Sequence, residues 1–302
     1  MTTIYPQPLV AGDTIAIVSP ASIINPDYVK GAVDALQRQG WNVTVGKHTL
    51  GESGSYSGTV EERLSDIREA VADPSVRAIL CSRGGYGVVH LLDKLPYKEL
   101  LRDPKWVIGF SDISALHAAM TSIGIASIHS PMCKHLTLHP DDECSRSLYA
   151  ILRGEKPCYN VAGNAYNHLG RCVGRVTGGN LAVLAGLIGT EYNLLGEADT
   201  ILVIEDIAEP IYKVERILYQ LRLTGALNRI SGLIVGQFTE YKSDRNYHDM
   251  ETMINDVTSG LDIPIAFNFP AGHVDHNLPI IENAVARLTI TEEKVELDYR
   301  TV

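Results

Sequence analysis

The position of Ser111 in the sequence suits a nucleophile. It follows the apolar run 106–110 and precedes a stretch with helical periodicity, so its hydroxyl would lie beside the backbone amides of a helix start. An alternative is that Ser111 or Asp112 caps that helix, because Ser and Asp are preferred at N-cap positions. The motif Gly-x-Ser-x-Gly does not settle the question, since Ile113 occupies the place of its second glycine.

Glu205 is a candidate for a carboxylate with a catalytic task. It directly follows the apolar run 200–204, which predicts a buried strand, and a charge there is costly unless it has a partner or a function. Asp206 and Glu209 are close enough in sequence to compete for the same role. A solvated strand end, with acids favouring the following helix N-terminus, is the other interpretation.

The histidines allow a catalytic and a metal-binding interpretation. His273 lies in a loop after an apolar run, where an imidazole can be held by a carboxylate and take a proton from a hydroxyl. With Asp275 and His276 it could instead bind a metal, and His135 with His139 has helical i, i+4 spacing. The second pair encloses no Glu and the sequence has no Cys-x-x-Cys, so we predict neither a metal nor a cofactor.

The glycine-rich segment 82–87 could present backbone N–H groups to an anion or a developing oxyanion, because glycine lets the chain approach closely. Gly84 and Gly85 lie at its centre. The segment is not a dinucleotide-binding fingerprint, since a Gly-x-Gly-x-x-Gly pattern starting at Gly85 has His90 in the third glycine position. An ordinary glycine turn is equally consistent with this segment alone.

Alternating elements in the first half of the chain would position these residues. Apolar runs alternate with amphipathic stretches, which predicts a doubly wound parallel sheet with helices on both faces and functional loops at the carboxyl ends of the strands. The predicted strands are 14–18, 41–45, 77–81 and 106–110, and the predicted helices are 28–39, 61–72, one beginning at Val88, and 113–123.

A change of composition divides the chain in two. Residues 139–170 are polar and irregular, which predicts a linker between an N-terminal α/β domain at 1–138 and a C-terminal domain at 171–302. The second half is richer in strands, which indicates a smaller, mixed α/β domain. Its predicted elements are a run at 170–177, a helix opened by 178–180, a strand at 200–204, a helix at 211–223, a strand at 232–236 and β-like runs within 286–299.

Composition excludes several classes of function. The net charge of −10 and the lack of a Lys/Arg cluster argue against nucleic-acid binding. No apolar run approaches the roughly 18 to 20 residues that span a bilayer, so we expect no membrane insertion. The five cysteines include no Cys-x-x-Cys pair, and the N-terminus has no basic segment before Asp13. We therefore expect a cytoplasmic protein.

Six motifs, in order along the chain, closely resemble the LD-carboxypeptidase family of serine peptidases. Each motif alone is modest, but their shared order is specific. The resemblance extends from the first predicted strand to His273. The motifs are Ser57-Gly58-Thr59-x-x-Glu62-Arg63-Leu64-x-Asp66-Ile67, Arg83-Gly84-Gly85-Tyr86-Gly87, Gly109-Phe110-Ser111-Asp112, Gly178-Gly179-Asn180-Leu181, Ile204-Glu205-Asp206-Ile207 and Gly272-His273.

The resemblance implies a Ser-Glu-His triad. Carried over, Ser111 is the nucleophile, His273 the general base, and Glu205 the group that orients the imidazole. It also implies that the backbone amides of Gly85 and Asp112 form the oxyanion hole, with the Asp112 side chain incidental. The triad would then join residues of both predicted domains, and domain closure could assemble it and exclude water.

The resemblance further implies removal of the terminal D-alanine from cytoplasmic murein tetrapeptides during cell-wall recycling, by a homodimer. We expect Arg83, with Gly84, to contact the terminal carboxylate. A relative of the microcin C immunity peptidases would instead cleave an aminoacyl-nucleotide amide, with Tyr166 or Tyr192 available for stacking on the base. A two-domain ligand-binding protein without catalysis is the third possibility.

Overall fold

The computed structural model describes residues 2–300. The described residues divide into two compact units, the first formed by those up to 155 together with 278–281 and the second by 156–277 together with those from 282 onward. Within the described part of the chain, no helix has the length and apolar character needed to cross a membrane.

The first unit contains a six-stranded sheet in the order β11-β5-β4-β3-β1-β2. Neighbouring strands from β5 to β2 are parallel. The strands are β1 (Thr14–Val18), β2 (Asn42–Val45), β3 (Val76–Cys81), β4 (Trp106–Gly109), β5 (Ser127–His129) and β11 (Ile280–Glu282); the helices are α1 (Pro26–Arg38), α2 (Val60–Ala72), α3 (Tyr97–Arg102), α4 (Ser114–Ser122), α5 (Cys133–Leu138) and α6 (Glu143–Leu152).

Local sequence explains where these elements begin. All five residues of β1 are buried, as expected of a central parallel strand. Helix α1 starts with a proline after Asn25, whose side chain accepts a hydrogen bond from Asp27 N–H. Helix α2 starts with a capping box in which Thr59 and Glu62 satisfy each other's backbone N–H groups.

The order of the strands brings three functional segments together within the first unit. Strands β1, β3 and β4 are neighbours and parallel, so their carboxyl ends lie at one edge of the sheet. The segments that follow them are 19–22, 82–87 and 110–112. A hydrogen bond of 3.2 Å from Ser22 N–H to the carbonyl oxygen of Gly84 joins the first two.

The second unit contains a seven-stranded mixed sheet in the order β10-β9-β8-β7-β12-β13-β6. Strands β10 to β7 are parallel, and β12, β13 and β6 continue the sheet in antiparallel pairs. The strands are β6 (Cys158–Ala162), β7 (Gly170–Asn180), β8 (Thr200–Ile207), β9 (Gly232–Thr239), β10 (Ile265–Ala266), β12 (Val285–Ile290) and β13 (Lys294–Asp298); the helices are α7 (Leu181–Ala185), α8 (Ile211–Leu223) and α9 (Met250–Thr258).

The predicted fold class is confirmed, and the differences lie in single elements. The helix expected from Val88 is two short 3₁₀ turns, Val88–His90 and Leu92–Lys94. Segment 139–170, predicted as a linker, contains α6 and β6, because Asp142 is a helix cap and β6 pairs with β13. Strand β7 extends to Asn180, three residues beyond the predicted run, and Asn180 is the N-cap of α7, so the segment 178–180 does open an apolar helix as predicted.

Candidate active site

Ser111 lies in a strained turn between β4 and α4. Its φ is 67°, a left-handed conformation that costs a non-glycine residue roughly 1–2 kcal/mol and is often kept for function. Helix α4 begins at Ser114, and Ile113 occupies its N-cap position. Ser111 and Asp112 therefore lie before the N-cap of α4, in the short 3₁₀ turn Ser111–Ile113.

The glycine segment 82–87 packs directly against this turn. A Cβ on Gly84 would lie 2.7 Å from Ser111 Cβ and 2.9 Å from its Oγ, so only glycine permits the approach. The next residue, Gly85, is exposed and has a φ of 108°. Within residues 2–300, no acceptor is recorded for the Gly85 N–H group. That donor is available to a ligand close to the serine.

A neutral histidine fixes the end of β4. His117 is fully buried, its Nε2–H donates to the Gly109 carbonyl at 2.8 Å, and its Nδ1 accepts from Ser127 Oγ at 2.8 Å. Burial lowers the pKa of His117 to about 4, so the ring stays neutral near pH 7. This residue was not predicted from the sequence, although a histidine within the apolar stretch of α4 is a visible signal.

In the second unit, the structure brings Glu205 and His273 together. Glu205 is fully buried on β8, and its Oε2 accepts a hydrogen bond of 2.7 Å from His273 Nδ1. A Cβ on Gly272 would lie 2.7 Å from the same oxygen, so this glycine gives the loop its close approach. The bond to Nδ1 leaves Nε2 as the ring nitrogen that can act as a base.

Asp206 and Glu209, the other two acids considered for the role of Glu205, have other partners. The Asp206 carboxylate accepts hydrogen bonds of 2.9 Å from Asn180 Nδ2 and Ala182 N–H, and so it joins β8 to the end of β7 and the start of α7. The Glu209 carboxylate lies 3.4 Å from the ammonium group of Lys213. Of the three acids considered from the sequence, Glu205 is the one hydrogen bonded to His273.

The surroundings of His273 favour its protonated form. Burial alone would lower its pKa, but the hydrogen bond and charge of Glu205, with the charges of Asp206 and Glu240, raise it above 6.5. The same groups would stabilise an imidazolium at this position. A base in this setting is lost as the pH falls through the raised pKa.

Metal ligation has one geometric candidate in the part of the chain that the structure describes. The ligand atoms of His135, Asp142 and Cys144 lie within 4.8 Å of one another. His135 Nε2 is 2.9 Å from an Asp142 oxygen, and the other Asp142 oxygen caps α6. A hydrogen bond and a helix cap thus account for two of the three groups. His139, the other half of the i, i+4 pair, is outside this cluster and packs on the His135 ring at 5.2 Å.

Two arginines lie beside the glycine segment. Arg83 is exposed and donates to the Ile23 carbonyl at 2.8 Å, so its guanidinium can still reach a ligand. Arg63 is buried and donates to the carbonyl oxygens of Pro20 at 2.6 Å and Gly87 at 2.9 Å. The role of Arg63 was missed from the sequence, although the residue belongs to the first motif.

A strained serine beside an exposed glycine N–H, and a histidine held by a buried carboxylate, are the groups that serine-type acyl transfer uses. Ser111 and the glycine segment 82–87 follow the parallel strands β4 and β3, at the carboxyl ends where α/β enzymes place their active sites. The class of protein that these features define is a serine-type hydrolase.

Comparison with known proteins gives the family. Residues 15–130 match the LD-carboxypeptidase N-terminal domain, and residues 173–288 match the LD-carboxypeptidase C-terminal domain. The chain is 33% identical to the murein tetrapeptide carboxypeptidase of Pseudomonas aeruginosa, covering 87% of this chain and 89% of that protein. It is 28% identical to the microcin C7 self-immunity protein of Escherichia coli, over 88% and 87% of the two chains.

A solved structure agrees with the sequence relatives. The muramoyltetrapeptide carboxypeptidase from Oxalobacter formigenes superimposes with a TM-score of 0.86 at 28% identity, covering 94% of this chain and 98% of that one. The chain belongs to the LD-carboxypeptidase family and is a serine-type carboxypeptidase.

Proposed function

We propose that this enzyme removes the terminal D-alanine from murein tetrapeptides, using Ser111, His273 and Glu205. The observation that carries the proposal is the 2.7 Å hydrogen bond between buried Glu205 and His273 Nδ1. The named activity of the murein carboxypeptidase relative supports the choice of substrate. A cytoplasmic location and a homodimer accompany this proposal as predictions.

The proposed reaction is acyl transfer through an ester. Ser111 Oγ attacks the carbonyl carbon of the bond to D-alanine while His273 Nε2 takes the hydroxyl proton. Glu205 holds the Nδ1–H and stabilises the imidazolium. The negative oxygen of the tetrahedral intermediate accepts hydrogen bonds from the Gly85 and Asp112 backbone N–H groups. His273 then gives its proton to the departing amine of D-alanine.

Water then hydrolyses the ester and regenerates the free serine. His273 takes a proton from water, the hydroxide adds to the ester carbonyl, and Ser111 leaves as its oxygen recovers the proton. The products are D-alanine and a tripeptide with a free carboxylate. No metal or cofactor takes part in the proposed steps.

In this proposal, Arg83 and Gly84 bind the terminal carboxylate of the substrate. The Arg83 guanidinium is exposed and adjoins the glycine segment, and a planar guanidinium pairs well with a carboxylate. An enzyme that removes one terminal residue needs such a charge close to the scissile bond.

The second candidate is cleavage of aminoacyl-nucleotide amides, favoured by the similarity to the microcin C7 self-immunity protein. That reaction calls for an aromatic surface that stacks on a base. The Tyr166 hydroxyl lies 2.9 Å from Thr252 Oγ1, and its ring packs on Phe267 at 5.8 Å, so Tyr166 is already engaged within its own unit. Because Tyr166 is so engaged, and because the chain is 33% identical to the murein carboxypeptidase relative against 28% for the self-immunity protein, we rank the murein substrate first.

The test offers the purified enzyme a murein tetrapeptide and, separately, an aminoacyl-sulfamoyl adenosine, with products followed by mass. We expect the tetrapeptide to lose one alanine and Ser111→Ala to lower kcat by a factor on the order of 10⁴ or more. Ser122→Ala is the matched control, because its hydroxyl only donates to the Ala119 carbonyl at the end of α4. It should retain activity.

Three results would overturn the proposal. Cleavage of the nucleotide analogue with an intact tetrapeptide would favour the second candidate. Full turnover by Ser111→Ala would remove the serine from the mechanism. Binding of the tetrapeptide without turnover, with equal affinity in Ser111→Ala, would indicate a ligand-binding protein.

A further inference from the structure

The side chain of Asp112, next to the nucleophile, is buried and points back to the glycine segment. It is 3% exposed, and its Oδ2 accepts a hydrogen bond of 2.9 Å from Val88 N–H. Val88 immediately follows segment 82–87. The resemblance gave Asp112 a role through its backbone N–H alone, so this contact of the side chain requires its own explanation.

Three side chains hold the end of the glycine segment, each from a different part of the first unit. Ser22 Oγ accepts from Tyr86 N–H at 3.2 Å, and Arg63 donates to the Gly87 carbonyl at 2.9 Å. Asp112 accepts from Val88 N–H. Of these three, only Asp112 belongs to the turn that carries Ser111. Its carboxylate therefore joins the two chain segments whose N–H groups must act together.

We propose that the Asp112 side chain is a positioning residue that fixes the Gly85 N–H donor relative to the Ser111 turn. The inference rests on the proposed function, because it assumes that these N–H groups bind the oxyanion. One residue would then supply one donor from its backbone and hold the other through its side chain. An oxyanion hole depends on such fixed geometry, and misplacement by about 1 Å can cost about 100-fold in rate.

The electrostatic surroundings of Asp112 fit this role. Burial raises the pKa of the carboxyl to about 6, against the opposing effects of the Val88 N–H and the Arg63 charge. The group is thus mostly ionised at pH 7, and a carboxylate accepts a stronger hydrogen bond than a neutral oxygen does. The neighbouring Cys81 thiol is fully buried, and burial, with smaller contributions from Cys133 and Asp112, raises its pKa.

The test compares Asp112→Ala, which removes the acceptor, with Asp112→Asn, which keeps an acceptor oxygen of the same reach. We expect Asp112→Ala to lower kcat about 100-fold with KM changed less than about threefold, because the oxyanion forms only in the transition state. Asp112→Asn should stay within about tenfold of the parent kcat. If Asp112→Ala does not fold, Asp112→Ser, whose hydroxyl is too short to reach Val88, takes its place.

Asp66 provides a matched control in the same unit. It is 2% exposed and also accepts a 2.9 Å hydrogen bond from a backbone N–H, that of His48. Asp66→Ala should lower the melting temperature by an amount similar to Asp112→Ala yet leave kcat within about threefold. A merely structural role for Asp112 would make the two variants alike in kcat.

Hydrogen exchange separates this inference from the proposed function. The Val88 amide should exchange at least about tenfold faster in Asp112→Ala than in the parent or in Asp66→Ala. Unchanged exchange, or a kcat of Asp112→Ala within threefold of the parent, would overturn the inference while D-alanine release by the parent stands. Absence of D-alanine release by the parent would overturn the proposed function, whatever the exchange result.

Discussion

At the scale of single residues, Ser111 and His273 both differ from the isolated amino acids, Ser111 in its backbone conformation and His273 in its pKa. The serine has a positive φ, and the half-buried histidine has a pKa raised by the carboxylates around it. The serine conformation costs stability, whereas the raised pKa of His273 reflects favourable interactions of the folded chain with the imidazolium. Against the lowering effect of burial, Glu205 contributes most to that raised pKa, so one substitution at Glu205 can alter the pH dependence.

We predict that Glu205→Gln lowers the pKa that limits activity at acidic pH. In the parent, burial lowers the pKa of His273, but Glu205, with Asp206 and Glu240, raises it above 6.5. Without the Glu205 charge, the lowering effect of burial is opposed less strongly. The acidic midpoint of kcat/KM should shift to lower pH. The kcat should fall by about 10² to 10⁴, since an amide can hold the wrong tautomer.

The measurement is a kcat/KM profile against pH with the tetrapeptide substrate. Glu209→Gln is the control, because Glu209 pairs with Lys213 instead of His273. Its midpoint should match that of the parent. A Glu205→Gln midpoint that is unchanged or higher would show that another group sets the acidic limb.

At the scale of elements, local signals predict boundaries well where a cap or a breaker marks them. Helix α8 begins and ends at the predicted residues, and β1 does likewise. Strand β8 continues through Glu205 and Asp206 to Ile207, three residues beyond the prediction, because pairing with β9 outweighs the change from apolar to acidic residues. Sheet pairing is a long-range effect that a local window does not contain.

A buried acid at the last residue of β11 gives the element-scale prediction. Glu282 is fully buried, and its Oε2 accepts from Gly178 N–H near the end of β7 at 2.9 Å. Burial raises its pKa to about 8 from an ordinary value of 4.5. The unfolded chain then binds fewer protons than the folded one between these values, so the Glu282 contribution to stability falls as pH rises from 4.5 to 8.

We predict that Glu282→Gln removes this slope. Between pH 4.5 and 8, the free energy of unfolding of the variant minus that of the parent should increase by several kcal/mol, at about 1.4 kcal/mol per unit of pKa shift. Urea unfolding at a series of pH values measures it. Glu293→Gln, at an exposed glutamate, is the control, and its free energy of unfolding should depend on pH in the same way as that of the parent. A constant difference between Glu282→Gln and the parent would mean that Glu282 is ionised in the fold.

At the scale of the whole molecule, the order of motifs carried more information than any one of them. Ser111 alone was compatible with a helix cap, and Glu205 alone with a solvated strand end. Their shared order along the chain indicated the family, which the matches over residues 15–130 and 173–288 confirm. Which side chains touch, such as Arg63 and Gly87, depends on chain packing and could not be predicted from spacing.

The division of the chain also lay beyond local sequence signals. The prediction placed a linker at 139–170 between two continuous ranges, whereas the compact units change at 155/156 and the first unit also takes residues 278–281. Loop-forming residues such as Pro140, Asp141 and Asp142 resemble a linker but lead into the cap of α6. The composition of residues 278–281 gives no sign that they belong to the first unit.

The central claim is that Ser111 is the nucleophile and that His273 activates it. Its most direct test is labelling with a fluorophosphonate, in which the serine oxygen bonds to phosphorus and fluoride leaves, with the adduct located by peptide mass. We expect a single adduct on Ser111, formed at least about 100-fold more slowly in His273→Gln and absent from Ser111→Ala. An adduct on another residue, or equal labelling rates in the parent and His273→Gln, would contradict the account.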